Sequence, residues 1–200
     1  MVRIQKHDKA IARWISHIIS PHIVGVILTA AIAWQYSDNP GSIMWWLVGL
    51  LPLLVVPPLV YLMWLVHKGQ LADIYMPDRE SRLIPLVVLM LWLVFCMGLM
   101  YYLSAPVVLL ALVLAAAVLI GALGLVTVFW KISFHGAAIS AAVTTTMMMA
   151  GSSAWPVMLL VPLVGWARVR LKRHTLRQVV YGSLVGALLA LFFVQKLLVQ

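Results

Sequence analysis

Three short segments of this sequence concentrate side chains able to hold and react with a phosphate. They are Asp78-Arg79-Glu80-Ser81-Arg82, Lys131-Ile132-Ser133-Phe134-His135, and the stretch from Arg168 through His174 to Gln178. Arginine presents a planar fork that donates two parallel hydrogen bonds to phosphate oxygens. Histidine supplies a nucleophile or a general acid near neutral pH. A helix starting around Ser133 to Gly136 would add backbone N–H groups, which attract an anion. Two histidines, several arginines and a helix N-terminus on one side of a membrane describe a site for a phosphate ester. Each residue also has a plainer use. Arg79 and Arg82 can pair with Asp78 and Glu80, Lys131 can anchor a helix end by snorkelling, and Arg170, Lys172, Arg173 and Arg177 can meet lipid headgroups. His7, His17, His22 and His67 carry no comparable pattern.

The elements that must position these residues are membrane helices. Of the 200 residues, 64% are hydrophobic and 10% are charged, against about 25% charged in a soluble domain. That composition excludes a soluble globular enzyme and a disordered tail. Solid apolar runs rather than alternation exclude a β-barrel. A span takes about 20 apolar residues. Seven apolar stretches can be drawn, near residues 15–36, 43–66, 83–103, 105–129, 134–150, 154–167 and 178–199. The expected fold is an all-α polytopic membrane bundle of about six to seven helices, forming one domain over residues 1–200. The basic N-terminus followed by an apolar run looks like a signal peptide, but the run is longer than the usual 7–15 residues, so it is read as a first membrane helix. Pro52, Pro57 and Pro58 should kink the second helix. The fifth stretch, rich in Ala, Ser and Thr, suits close helix contacts.

Counting spans places every Lys and Arg except Lys196 on one face, which the positive-inside bias assigns to the cytoplasm. The net charge of +9 therefore reads as cytoplasmic loops and anionic headgroups, not nucleic acid. The expected location is the cell (inner) membrane, with the N-terminus and the site facing the cytoplasm. The single Cys96 rules out a disulfide framework and a cysteine zinc site.

The ordered basic segments resemble the type 2 phosphatidic acid phosphatases, or lipid phosphate phosphatases. That family's signature is Lys-x6-Arg-Pro, then Pro-Ser-Gly-His, then Ser-Arg-x5-His-x3-Asp. The third part matches best: Ala167-Arg168, five residues, His174, three residues, Gln178, continuing into Val179-Val180-Tyr181-Gly182-Ser183-Leu184-Val185-Gly186. The second is kept as Ile132-Ser133-Phe134-His135. Of the first, Arg82 remains, with Leu83 for Pro, Tyr75 for Lys, and Arg79 as a replacement cation. The resemblance implies that His174 attacks phosphorus to form a phosphohistidine and that His135 protonates the leaving oxygen. It also implies that Arg79, Arg82, Lys131, Ser133 and Arg168 hold the phosphate oxygens. Neither a metal nor another cofactor is implied. The implied partners are a lipid phosphate or isoprenoid diphosphate substrate and the surrounding lipids.

Two departures bear on activity. Gln178 stands where the family has the Asp that orients the nucleophilic imidazole; its oxygen can accept the Nδ1–H but brings no negative charge. Phe134 puts bulk where the family has Gly. These departures favour the alternative of a non-catalytic relative that keeps the bundle and binds anionic lipid or serves as an accessory membrane subunit. Membrane prenyltransferases and CDP-alcohol phosphotransferases need spaced Asp residues for metal, which this chain lacks. The apolar spans contain no Asp or Glu, which argues against proton-coupled transport.

Overall fold

The computed structural model describes residues 2–35, 39–74, 76 and 80–198, and their regular structure is entirely helical. The α-helices are α1 (Val2–Ile18), α2 (Pro21–Gln35), α3 (Pro40–His67), α4 (Leu83–Tyr102), α5 (Val107–Phe129), α6 (Phe134–Ala150), α7 (Leu160–Arg170) and α8 (Leu176–Leu198). A 3₁₀ turn covers Glu80–Arg82, and a 3₁₀ segment, Gly151–Leu159, joins α6 to α7. Among the described residues, six helical runs are long and apolar enough to cross a membrane. The protein is thus an all-α, polytopic integral membrane bundle.

The structure departs from the expected spans in two places. The first apolar stretch is not one helix: α1 ends at Ile18 and α2 starts at Pro21. Ser20 makes the break. Its hydroxyl accepts the Ile23 N–H at 3.4 Å, and its carbonyl accepts that of Val24 at 3.0 Å. A serine at the N-cap followed by proline, which lacks an N–H, favours a fresh helix start. The fifth and sixth stretches form one helical run, Phe134–Arg170, folded back on itself so that α6 and α7 pack side by side. The reversal sits at Gly151, whose φ of 67° and ψ of −152° suit only glycine. The return leg is long enough to cross. A 3₁₀ helix rises about 2.0 Å per residue against about 1.5 Å in an α-helix.

The residues gather in two compact units, Met1–Gly25 with Lys131–Gln200, and Val26–Trp130. In the second unit, α4 and α5 pack against each other, and α3 packs on α4. Ile43, Leu47 and Leu50 of α3 meet Leu93, Met100, Leu109, Val113 and Ala117 in its core. Prolines inside α3 remove backbone donors, so Pro57 leaves the Leu53 carbonyl without its helical partner. The Trp92 indole of α4 donates to that carbonyl at 3.0 Å. In hydrocarbon such a replacement partner is required, because no water can serve.

Candidate active site

Helices α6 and α8 of the first unit run parallel and pack with their backbones in contact. A Cβ on Gly182 would lie 2.5 Å from the Ser133 carbonyl oxygen, and one on Gly186 only 2.0 Å from that of Ala137. Glycines one turn apart thus let the two helices approach at the matching residues of α6, the small-residue mode of membrane helix packing. Two hydrogen bonds lock the pair in register. The Ser133 N–H donates to the Gln178 carbonyl at 3.2 Å, and the Ser183 hydroxyl donates to the Gly136 carbonyl at 3.3 Å. The N-termini of α6 and α8 are therefore level.

Ser133 is fully buried and is the N-cap of α6, its hydroxyl oxygen accepting the Gly136 N–H at 3.1 Å. Its own proton is left to donate elsewhere. His135 follows in the first turn and is buried. Lys131 is half-buried in the preceding loop.

Arg168 is buried in the last turn of α7. That helix ends in a Schellman arrangement: the Arg173 N–H donates to the Arg168 carbonyl at 3.1 Å and the Lys172 N–H to the Val169 carbonyl at 2.9 Å. Lys172 takes the left-handed position, with φ of 55°, where glycine is usual. The His174 N–H also reaches the Arg168 carbonyl, at 3.4 Å. The tight turn thus fixes the spacing between the arginine and the histidine that the sequence singled out.

Thr175 and Gln178 form a capping box at the start of α8. The Thr175 hydroxyl oxygen accepts the Gln178 N–H at 3.3 Å, and Gln178 Oε1 accepts the Thr175 N–H at 3.1 Å. The same Oε1 lies 3.2 Å from Nδ1 of the buried His174. A backbone N–H can only donate, so it must face the amide oxygen. The ring nitrogen meeting that oxygen must then donate as well. His174 is held as the Nδ1–H tautomer, and Nε2 carries the lone pair.

Of the residues the sequence singled out, the first unit brings together Ser133, His135, Arg168, His174 and Gln178, with Lys131 beside them in sequence. Arg168 and His174 lie near the His135 ring. Arg82 belongs to the second unit, where it is buried and donates from Nε to the Met76 carbonyl at 2.8 Å. Arg79 lies outside the described residues. Among the described residues, no three His, Cys, Asp or Glu side chains gather to hold a metal.

Residues 125–198 match the family model of the PAP2 superfamily. This is the family that the basic segments resemble, and the matched PAP2 region holds Lys131, Ser133, His135, Arg168, His174 and Gln178. Arg79 and Arg82 precede it. No curated protein and no solved structure matches the chain. The sequence had missed Thr175, although Thr-x-x-Gln is a recognisable capping signal. Ser16 of α1 also escapes the sequence, and its backbone lies within hydrogen-bonding reach of the His135 ring; nothing in sequence spacing links those positions.

Proposed function

We propose that this protein is an integral membrane phosphatase that hydrolyses a lipid phosphate or isoprenoid diphosphate through a phosphohistidine on His174. The observation that carries the reading is the hydrogen bond between His174 Nδ1 and a Gln178 oxygen already oriented by the Thr175 N–H. It prepares Nε2 to attack phosphorus without first losing a proton. As the N–P bond forms, the bond from phosphorus to the leaving oxygen breaks (the ester oxygen of a lipid phosphate, the bridging oxygen of a diphosphate), and His135 protonates that oxygen. Water then attacks the phosphohistidine, giving its proton to His135, and phosphate leaves. Arg168, Ser133 and Lys131 offset charge on the phosphoryl oxygens. The reaction balances with water as the only co-reactant.

The N-terminus of α6, the C-terminus of α7 and the N-terminus of α8 share one end of the unit, together with Lys131 and the basic residues from 168 to 177. That end faces the cytoplasm in this reading, at the inner membrane, with the substrate tail among lipids and phosphate reached from the loop side. Gln178 also supports a second reading, a relative that binds anionic lipid without turnover, because its oxygen brings no charge to steady an imidazolium. Phosphate release from phosphatidic acid and from an isoprenoid diphosphate, by purified protein with a chelator present, separates the two. Release that persists in chelator and is lost in His174→Ala supports the phosphatase. Equal, background release from both proteins, with lipid binding retained, supports the non-catalytic relative.

A further inference from the structure

Ser16 stands outside the residues that match the PAP2 model, yet it belongs to the same compact unit. Helix α1 packs along α7, and Ala12 is fully buried. Ile15 and Ile19 pack against Ile139, Val143 and Val164. Near the basic end, Arg170 donates to the Asp8 carboxylate at 3.3 Å. The C-terminal turn of α1 is therefore held firmly beside α6 and α7.

Two groups of Ser16 bear on the site. The first is its backbone, which lies within hydrogen-bonding reach of the His135 ring. The Ser16 N–H is used within α1, whereas the helix ends at Ile18 and leaves its last carbonyls without helical partners. The Ser16 carbonyl is thus the acceptor. Nε2 of His135 is not the atom engaged, so Nδ1–H is the donor, and proton transfer falls to Nε2. The second group is the hydroxyl. Ser16 is 3% exposed, and its Oγ has no hydrogen-bond partner. A helical serine commonly settles its hydroxyl on the carbonyl one turn back, and a buried polar atom left unpaired is costly. Such a hydroxyl, on the very residue that holds the imidazole, fits an oxygen supplied by a ligand.

We propose that Ser16 is a substrate-binding residue of this site, its carbonyl holding His135 and its hydroxyl donating a hydrogen bond to the ester oxygen that His135 protonates. The proposal rests on the phosphatase reading above. His135 enters the step as an imidazolium, keeps Nδ1–H on the Ser16 carbonyl, gives its Nε2 proton to the departing oxygen and regains one from the attacking water. The Ser16 hydroxyl keeps its own proton and lends a hydrogen bond as charge builds on that oxygen. Helix α1 thereby becomes part of the active site, contributed from outside the matched region.

The test compares wild type, Ser16→Ala and Ser16→Cys as full-length protein in detergent. Two quantities are measured: phosphate release, and the shift in thermal unfolding produced by orthovanadate, a mimic of the phosphoryl transition state. Ser16→Ala should melt at or above the wild-type temperature, since it loses an unpaired buried hydroxyl. It should also lose about tenfold or more in kcat/KM and in vanadate affinity, the worth of a hydrogen bond to a charged group. Ser16→Cys, nearly the same size but a weak donor, should lose similarly and guards against a packing effect in the alanine variant. Wild-type turnover and vanadate affinity in both variants would overturn the role of Ser16 and leave the phosphatase reading standing. A wild type that binds vanadate without turnover, with the affinity lost in both variants, would overturn the phosphatase reading but keep the Ser16 contact. A wild type with neither turnover nor a vanadate shift overturns both.

Discussion

Gln178 holds His174 with the same amide oxygen that caps helix α8, 3.2 Å from Nδ1 of the ring and 3.1 Å from the Thr175 nitrogen. One oxygen therefore ends a helix, selects a tautomer and aims an imidazole. A carboxylate would do all three and add a charge where an imidazolium or phosphohistidine forms. Gln178→Glu should therefore keep the capping box and raise kcat several-fold. Gln178→Ala should lower it by about 10² or more; disturbing the comparable position in a serine protease triad costs about 10⁴. Phosphate release by the two variants checks both directions, and an unchanged kcat in Gln178→Ala would show that ring orientation does not limit the reaction.

The α6–α8 contact sets the distance between the two histidines, so it should be intolerant of a single added carbon. Gly186→Ala places its Cβ 2.0 Å from the Ala137 carbonyl oxygen, and a rigid backbone atom cannot swing aside. We expect the variant to unfold at lower denaturant, by about 1–3 kcal/mol or more, and to lose activity beyond what its folded fraction explains. Gly25→Ala is the control. A Cβ there meets nothing within 4 Å, so the change should be neutral or gain a few tenths of a kcal/mol from helix propensity.

The positive-inside bias of the sequence predicts that the loop after α3 faces the cytoplasm. Gln70 is exposed just after α3, and the native Cys96 thiol is fully buried. Gln70→Cys in intact cells should resist a membrane-impermeant maleimide and react once the inner membrane is opened. Labelling of intact cells would place this loop, and with it the charge-based orientation, on the opposite side.

Much of this architecture is legible in the sequence because hydrocarbon imposes simple rules. The Ala, Ser and Thr content of residues 134–150 predicts a helix suited to close packing, and α6 occupies that range. The Arg168–His174 spacing was legible because one tight turn joins α7 to α8. What stayed hidden is tertiary. Ser20-Pro21 carries a helix-start signal, but a uniform apolar run masks it. The partnership of Ser16 with His135 joins residues more than a hundred positions apart, and no local pattern encodes it. Gln178 looked like the loss of a charge; its capping bond to Thr175 shows what the amide retains.

The last prediction concerns how α3 tolerates proline. Pro57 deprives the Leu53 carbonyl of its helical donor, and the Trp92 indole supplies one at 3.0 Å. Trp92→Phe keeps an aromatic ring and removes the donor, leaving a carbonyl unpaired in hydrocarbon. The cost should be about 1–2 kcal/mol in unfolding free energy. Pro57→Ala restores the backbone N–H that can reach Leu53 within the helix, so the indole becomes dispensable. In that background Trp92→Phe should cost clearly less, and the difference between the two costs is the coupling between donor and proline. Equal costs in the two backgrounds would mean that Trp92 acts only by packing, and that water or another group serves the Leu53 carbonyl.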